Sequence, residues 1–208
     1  MRDHAGIDEL ESRRCEYGRS GCVPTTVAAD RLADMPSSPT TAPAHPLLRA
    51  SATELIALLR ASEVSAVELL QVVLARADEI TPTVNPFAVR LDDSAFAAVE
   101  ESDRRIAAGA ARPLEGLPVS AKDSQWLAGV PTSSGSHARA GFVPQGTVGA
   151  LRRVLDAGAV IFAKTTTSEF CYSGVSTAPA FGTTANPHDL TRTAGGSSGG
   201  AAAQVAAW

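Results

Sequence analysis

Two short apolar runs, LPVSA at 117–121 and AVIFA at 159–163, bracket a segment of helical character over 147–157 that stops at Gly158. Runs of this length suit strands buried on both faces. A strand, loop, helix, strand order restricts the chain to an α/β layer architecture. Upstream the pattern is helical. Ser51 with Glu54 and Ser65 with Glu68 each make an S/T-x-x-E capping box, which predicts helices over 52–61 and 66–80. In the second, Val67, Leu70, Val73, Leu74 and Ala77 recur at helical spacing and give one apolar face. Thr81, Pro82, Asn85 and Pro86 are expected to break the chain there. A strand over 87–91 and an alanine-rich helix over 93–108, stopped by Gly109, complete this part. The stretch 126–146 is rich in Gly, Ser, Pro and Thr, and an ordered loop of that length points to a site beneath it.

Composition narrows the function classes. The 208 residues are 44% hydrophobic, enough for one sizeable core. The net charge is −4 with no basic stripe, which argues against a nucleic-acid partner. No run reaches the roughly 18 apolar residues of a membrane span and no signal-peptide core is visible, so a cytoplasmic location is expected. Residues 1–48 include the run PSSPTTAPAHP and read as a disordered extension, with a folded domain over 49–208. Cys15, Cys22 and Cys171 are too few and too scattered for a disulfide framework or a zinc site. Cys171 reads as a small buried hydrophobe. His4, His45, His137 and His188 lack metal-ligand spacing, so no metal is expected.

Chemistry concentrates at two places. Lys122 closes the first apolar run and is followed by Asp123. Burial at a strand end disfavours the ammonium form and offers a neutral amine as a base, whereas a lysine reaching solvent and paired with Asp123 would do no chemistry. Lys164, after the second run, carries the same ambiguity. The other place is 195–200, where Ser197 and Ser198 lie between the pairs Gly195–Gly196 and Gly199–Gly200. Glycine lets a substrate approach the main chain there. Residues 196–200 match G-x-S-x-G in form, but no strand is expected in the preceding TANPHDLTRTA and few residues follow for an acid and a histidine. A phosphate loop fails too, because G-x-x-x-x-G-K-[ST] is absent. A Ser/Lys arrangement remains.

Four blocks in one order resemble the amidase signature family. They are GLPVSAKDS (116–124), GVPTSSGS (129–136), VGALRRVLDAGAVIFAKTTTSEF (148–170) and FGTTANPHDLTRTAGGSSGGAAAQVAA (181–207). The resemblance implies a mixed β-sheet sandwiched between α-helices, here incomplete at the carboxyl end, and hydrolysis of a carbon–nitrogen bond in a small-molecule amide. It implies a Ser, cis-Ser, Lys triad with Lys122 as base and Ser197 as the cis-serine relay. Gly195, Gly196, Ser198, Gly199 and Gly200 would support the loop, and no cofactor is called for. The attacking serine of the family lies in a G-T-D-x-G-G-S segment, which these residues do not contain. The 208 residues alone are therefore expected neither to hydrolyse amides nor to fold robustly. A remnant or interaction fragment, or part of a glutamine-dependent A-type amidotransferase component, are the other readings. A second copy of the chain or a missing carboxyl-terminal half would then be the protein partner.

Overall fold

The computed structural model describes residues 45–208. His4, Cys15, Cys22 and most of the expected 1–48 extension lie outside the described residues. His45 caps a 3-10 turn at Pro46–Arg49, and Leu47 and Leu48 pack against the main apolar cluster. Helix α1 (Ala52–Arg60) and helix α2 (Ala66–Val84) both begin at the anticipated capping boxes, with the serine hydroxyl and the glutamate carboxylate each satisfying an end N–H. Asp103 adds a second cap on α2 by accepting from the amides of Ala66 and Val67. These contacts fill the donor groups that a helix start leaves open.

Helix α2 does not break at Pro82 as the sequence suggests; it runs to Val84 and ends on Asn85 in the left-handed conformation. The reason is packing. Ile80 and Val84 are fully buried in a second apolar cluster with Ala185, Leu190, Ala203 and Ala207, and burying two such side chains contributes about 3–6 kcal/mol. That offsets a proline cost of about 3 kcal/mol.

Strand β1 (Phe87–Arg90), helix α3 (Asp92–Ala107), strand β2 (Pro118–Lys122), helix α4 (Gly149–Asp156) and strand β3 (Val160–Thr165) follow. The sheet order is β1-β3-β2, with β3 central, antiparallel to β1 and parallel to β2. It is therefore a mixed sheet within an α/β fold. Leu59, Leu69, Leu70, Val73, Leu74, Ala95 and Val99 from α1–α3 cover it, meeting Val160, Phe162 and Ala163 of β3. Every residue of β3 is buried, as a continuous apolar run in a central strand requires.

Two small hairpins lead towards the glycine loop: β4 (Thr177–Ala178) with β5 (Gly182–Thr183), and β6 (Ala185–Asn186) with β7 (Asp189–Thr193). Strand β7 corrects the expectation that no strand precedes the glycines. Its residues are mostly polar and Leu190 alone among them is buried, so no apolar alternation marks it. Helix α5 (Gly199–Ala206) follows. Among the described residues no helix is long and apolar enough to cross a membrane.

Candidate active site

Residues distant in sequence meet where β2 ends. Lys122 is the last residue of β2, and α5 packs against that strand, which brings the preceding loop over the lysine. The Lys122 Nζ donates to Ser197 Oγ at 2.7 Å. Both side chains are half-buried, and the Gly196–Ser197 peptide is cis.

The glycines make this approach sterically feasible. A side chain at Gly196 would lie 2.8 Å from the Val175 carbonyl carbon, and one at Gly200 would lie 2.5 Å from both the Pro86 oxygen and the Thr166 nitrogen. Only hydrogen fits there. Gly195 takes a positive φ of 76°, which turns the chain out of β7. Gly199 N donates to Ser176 Oγ at 2.9 Å, so Ser176 caps α5. Ser198 is exposed and makes no side-chain cap on α5. Ser176 takes the capping place at the Gly199 amide instead.

Lys122 and Asp123 do not pair with each other. Successive strand residues face opposite sides of a sheet, and the two side chains follow that rule to different partners. Asp123, 1% exposed, accepts from Lys164 Nζ at 3.2 Å, from the Ser134 amide at 2.8 Å and from Ser133 Oγ at 3.2 Å. Lys164 is wholly buried and also donates to Thr132 Oγ1 at 3.0 Å. Burial pushes the Lys164 ammonium below its usual value, with Asp123 acting in the opposite direction. The ion pair fastens the 132–134 part of the long loop beneath the strand that carries Lys122. Lys164 is thus structural, and the charge beside Lys122 is held away from it.

Cys171 is a correction. Instead of a buried hydrophobe it is half-buried, its sulfur 3.4 Å from Thr167 Oγ1. It lies in a tight turn, with φ of 48° at Phe170 and 62° at Cys171.

Ser173 and Gly174 belong to a turn in which Ser168 Oγ donates to the Ser173 carbonyl. His45 caps the 46–49 turn and His137 lies in a short 3-10 turn. Among the described residues no group of three or more His, Cys, Asp or Glu is placed to hold a metal. A groove of about 640 Å³ lined by Arg49, Glu54, Leu58 and Glu63 contains none of the residues discussed above as candidates for chemistry.

Comparison with known proteins identifies the family. The Amidase family model matches residues 68–208. The A-type component of glutamyl-tRNA(Gln) amidotransferase from Acidothermus cellulolyticus is 41% identical over 163 residues, covering 78% of this chain and 32% of that protein. Its counterpart from Azoarcus sp. is 42% identical over 161 residues, covering 77% and 33%. Among solved structures, the peptide amidase from Stenotrophomonas maltophilia superposes with a TM-score of 0.70 at 30% identity, covering 74% of this chain and 33% of that one. A vestigial protein complex that reveals the origins of an s-triazine catabolic enzyme gives 0.73 at 32%, covering 76% and 35%. The chain spans about a third of the length of the relatives it matches. The family match spans both Lys122 and Ser197, which the fold brings within one hydrogen bond of each other, and the chain belongs to the Amidase family.

Proposed function

We propose that this chain supplies the base and the proton relay of a carbon–nitrogen hydrolase that acts on amides through a Ser/cis-Ser/Lys mechanism. The observation that carries the reading is the 2.7 Å contact between Lys122 Nζ and Ser197 Oγ in a member of the Amidase family. With the amine neutral, the same contact lets Ser197 pass its proton to Lys122 while its oxygen takes the proton of an attacking serine. That serine adds to the amide carbonyl, the proton held by Lys122 returns through Ser197 to the nitrogen as the carbon–nitrogen bond breaks, and water then releases the acyl group through the same relay. The G-T-D-x-G-G-S segment that holds the attacking serine in the family is not among these 208 residues. The chain contributes the lysine, the relay and the buried Asp123–Lys164 pair beneath them. No cofactor enters the scheme, the substrate is a small-molecule amide, and the cytoplasmic location belongs to the same proposal.

A second reading within the class is the A-type component of a glutamine-dependent amidotransferase working with partner proteins. The 41–42% identity to proteins of that name favours it. A chimera separates function from ancestry: residues 49–208 replace the matching third of the Acidothermus protein, and ammonia release from glutamine is measured. Retained turnover that falls with Lys122→Ala and with Ser197→Ala supports the relay. A folded chimera without turnover would favour a non-catalytic remnant.

A further inference from the structure

We propose that Arg76 is a positioning residue for Ser197, acting through helix α5. The inference rests on the relay reading above and names what holds the relay serine in place. Arg76, Ile80 and Val84 recur every four residues along α2, which puts them on one face. Ile80 and Val84 share an apolar cluster with Ala203 and Ala207, in the middle and at the end of α5. Arg76 grips that end. Its Nε donates to the Ala207 carbonyl at 3.0 Å and its Nη2 to the same oxygen at 2.7 Å, while Nη1 donates to the Glu79 carboxylate at 2.8 Å. The Arg76 side chain is 4% exposed, and a cation in so dry a place is costly unless paired. The last carbonyls of a helix suit it, because they lack partners within the helix and carry partial negative charge.

Helix α5 depends on such a tie. Its eight residues, GGAAAQVA, are too few to be stable alone, and those buried are Gly199, Gly200, Ala203 and Gln204, which offer little apolar area. Trp208, just beyond, stacks on Phe162 with ring centroids 5.8 Å apart, a contact that does not fix the helix along its axis. The polar bonds at the two ends do: Ser176 Oγ holds the Gly199 amide and Arg76 holds the Ala207 carbonyl. Ser197 stands two residues before α5, so a slip of the helix carries its hydroxyl with it. A slip of about 1 Å is enough to break the 2.7 Å contact with Lys122.

The test has two arms. In the full 208-residue chain, Arg76→Met should speed hydrogen exchange of the amides of residues 202–207 at least about tenfold more than that of the β3 amides, and should move the Ser197 amide resonance. Leu70→Ala, which weakens the apolar cluster instead, should speed both sets alike. In the chimera, Arg76→Met should lower kcat about tenfold with KM nearly unchanged. Exchange at 202–207 that rises no more than in β3, or a folded Arg76→Met chimera that keeps its kcat while Ser197→Ala loses it, would overturn the proposal. Should Arg76→Met unfold by circular dichroism, Arg76→Lys replaces it, leaving one bond where there were two; the same signs are expected, with kcat down about threefold, and parental exchange and kcat would count against the proposal. Turnover that survives Ser197→Ala would overturn the relay reading instead, and the exchange and resonance results would still decide whether Arg76 holds Ser197.

Discussion

Strand β3 passes through two environments. Val160, Phe162 and Ala163 sit among the leucines and valines of α1–α3, whereas Lys164 ends in a buried polar layer with Asp123 and Thr132. Both halves exclude water, yet they are stabilised differently. The apolar half gains in proportion to area and tolerates changes of shape. The polar half gains only while each group keeps its partner, because an unpaired charge in a dry interior is costly. The apolar half therefore builds the domain and the polar half positions the site, and they should fail in different ways.

Asp123→Ala should do the most damage. It strands the wholly buried Lys164 ammonium and frees the 132–134 loop, and urea denaturation should record a loss of about 3–5 kcal/mol. If the polar half obeys pairing, replacing both partners with Leu and Met should cost less than Asp123→Ala alone. A double variant as unstable as the sum of its singles would break the comparison.

On the apolar side, Leu70→Ala removes a fully buried side chain of the helical cluster and should cost about 3 kcal/mol. Unlike Asp123→Ala, it should leave turnover by the chimera in place, because Lys122 and Ser197 lie outside the cluster that holds Leu70. Loss of both together would show that the two halves are not separable.

Ser65→Ala tests a single cap and should lower the urea midpoint by an amount equivalent to about 1 kcal/mol. Asp103 still holds the Ala66 and Val67 amides in that variant, so a larger loss would mean that Ser65 does more than cap.

The smallest effect is a pH dependence. Burial works to raise the Glu115 carboxyl, but hydrogen bonds from Arg112 and Ser102 hold it below the usual carboxylate range. The unfolded chain then binds more protons between the two values. Glu115 accordingly contributes stability above the ordinary carboxylate range that is lost as pH falls through its lowered folded value. Acid titrations of stability should be shallower in Glu115→Gln than in the parent, and identical acid limbs would remove Glu115 from the account.

How much of this was legible from residues alone follows the same division. Helices α1 and α2 start at Ser51 and Ser65 because capping is local chemistry, and β3 is evident because its apolar residues are contiguous. The end of α2 was not legible, since Val84 is held by Leu190 and Ala203 far along the chain. Strand β7 was hidden for a similar reason, being a polar hairpin arm with one buried residue. At the site, Lys122 and Ser197 were named by resemblance to a family, while their 2.7 Å contact needed the fold. Strand parity alone could have shown that Lys122 and Asp123 face apart.

The most direct test of the proton-relay account is turnover of glutamine by the chimera that carries residues 49–208. Lys122→Ala and Ser197→Ala should each lower kcat by about a hundredfold or more with little change in KM, whereas Ser198→Ala, lacking a capping bond, should lower it by less than about threefold. A chimera whose kcat survives Lys122→Ala or Ser197→Ala would contradict the account, whatever its stability.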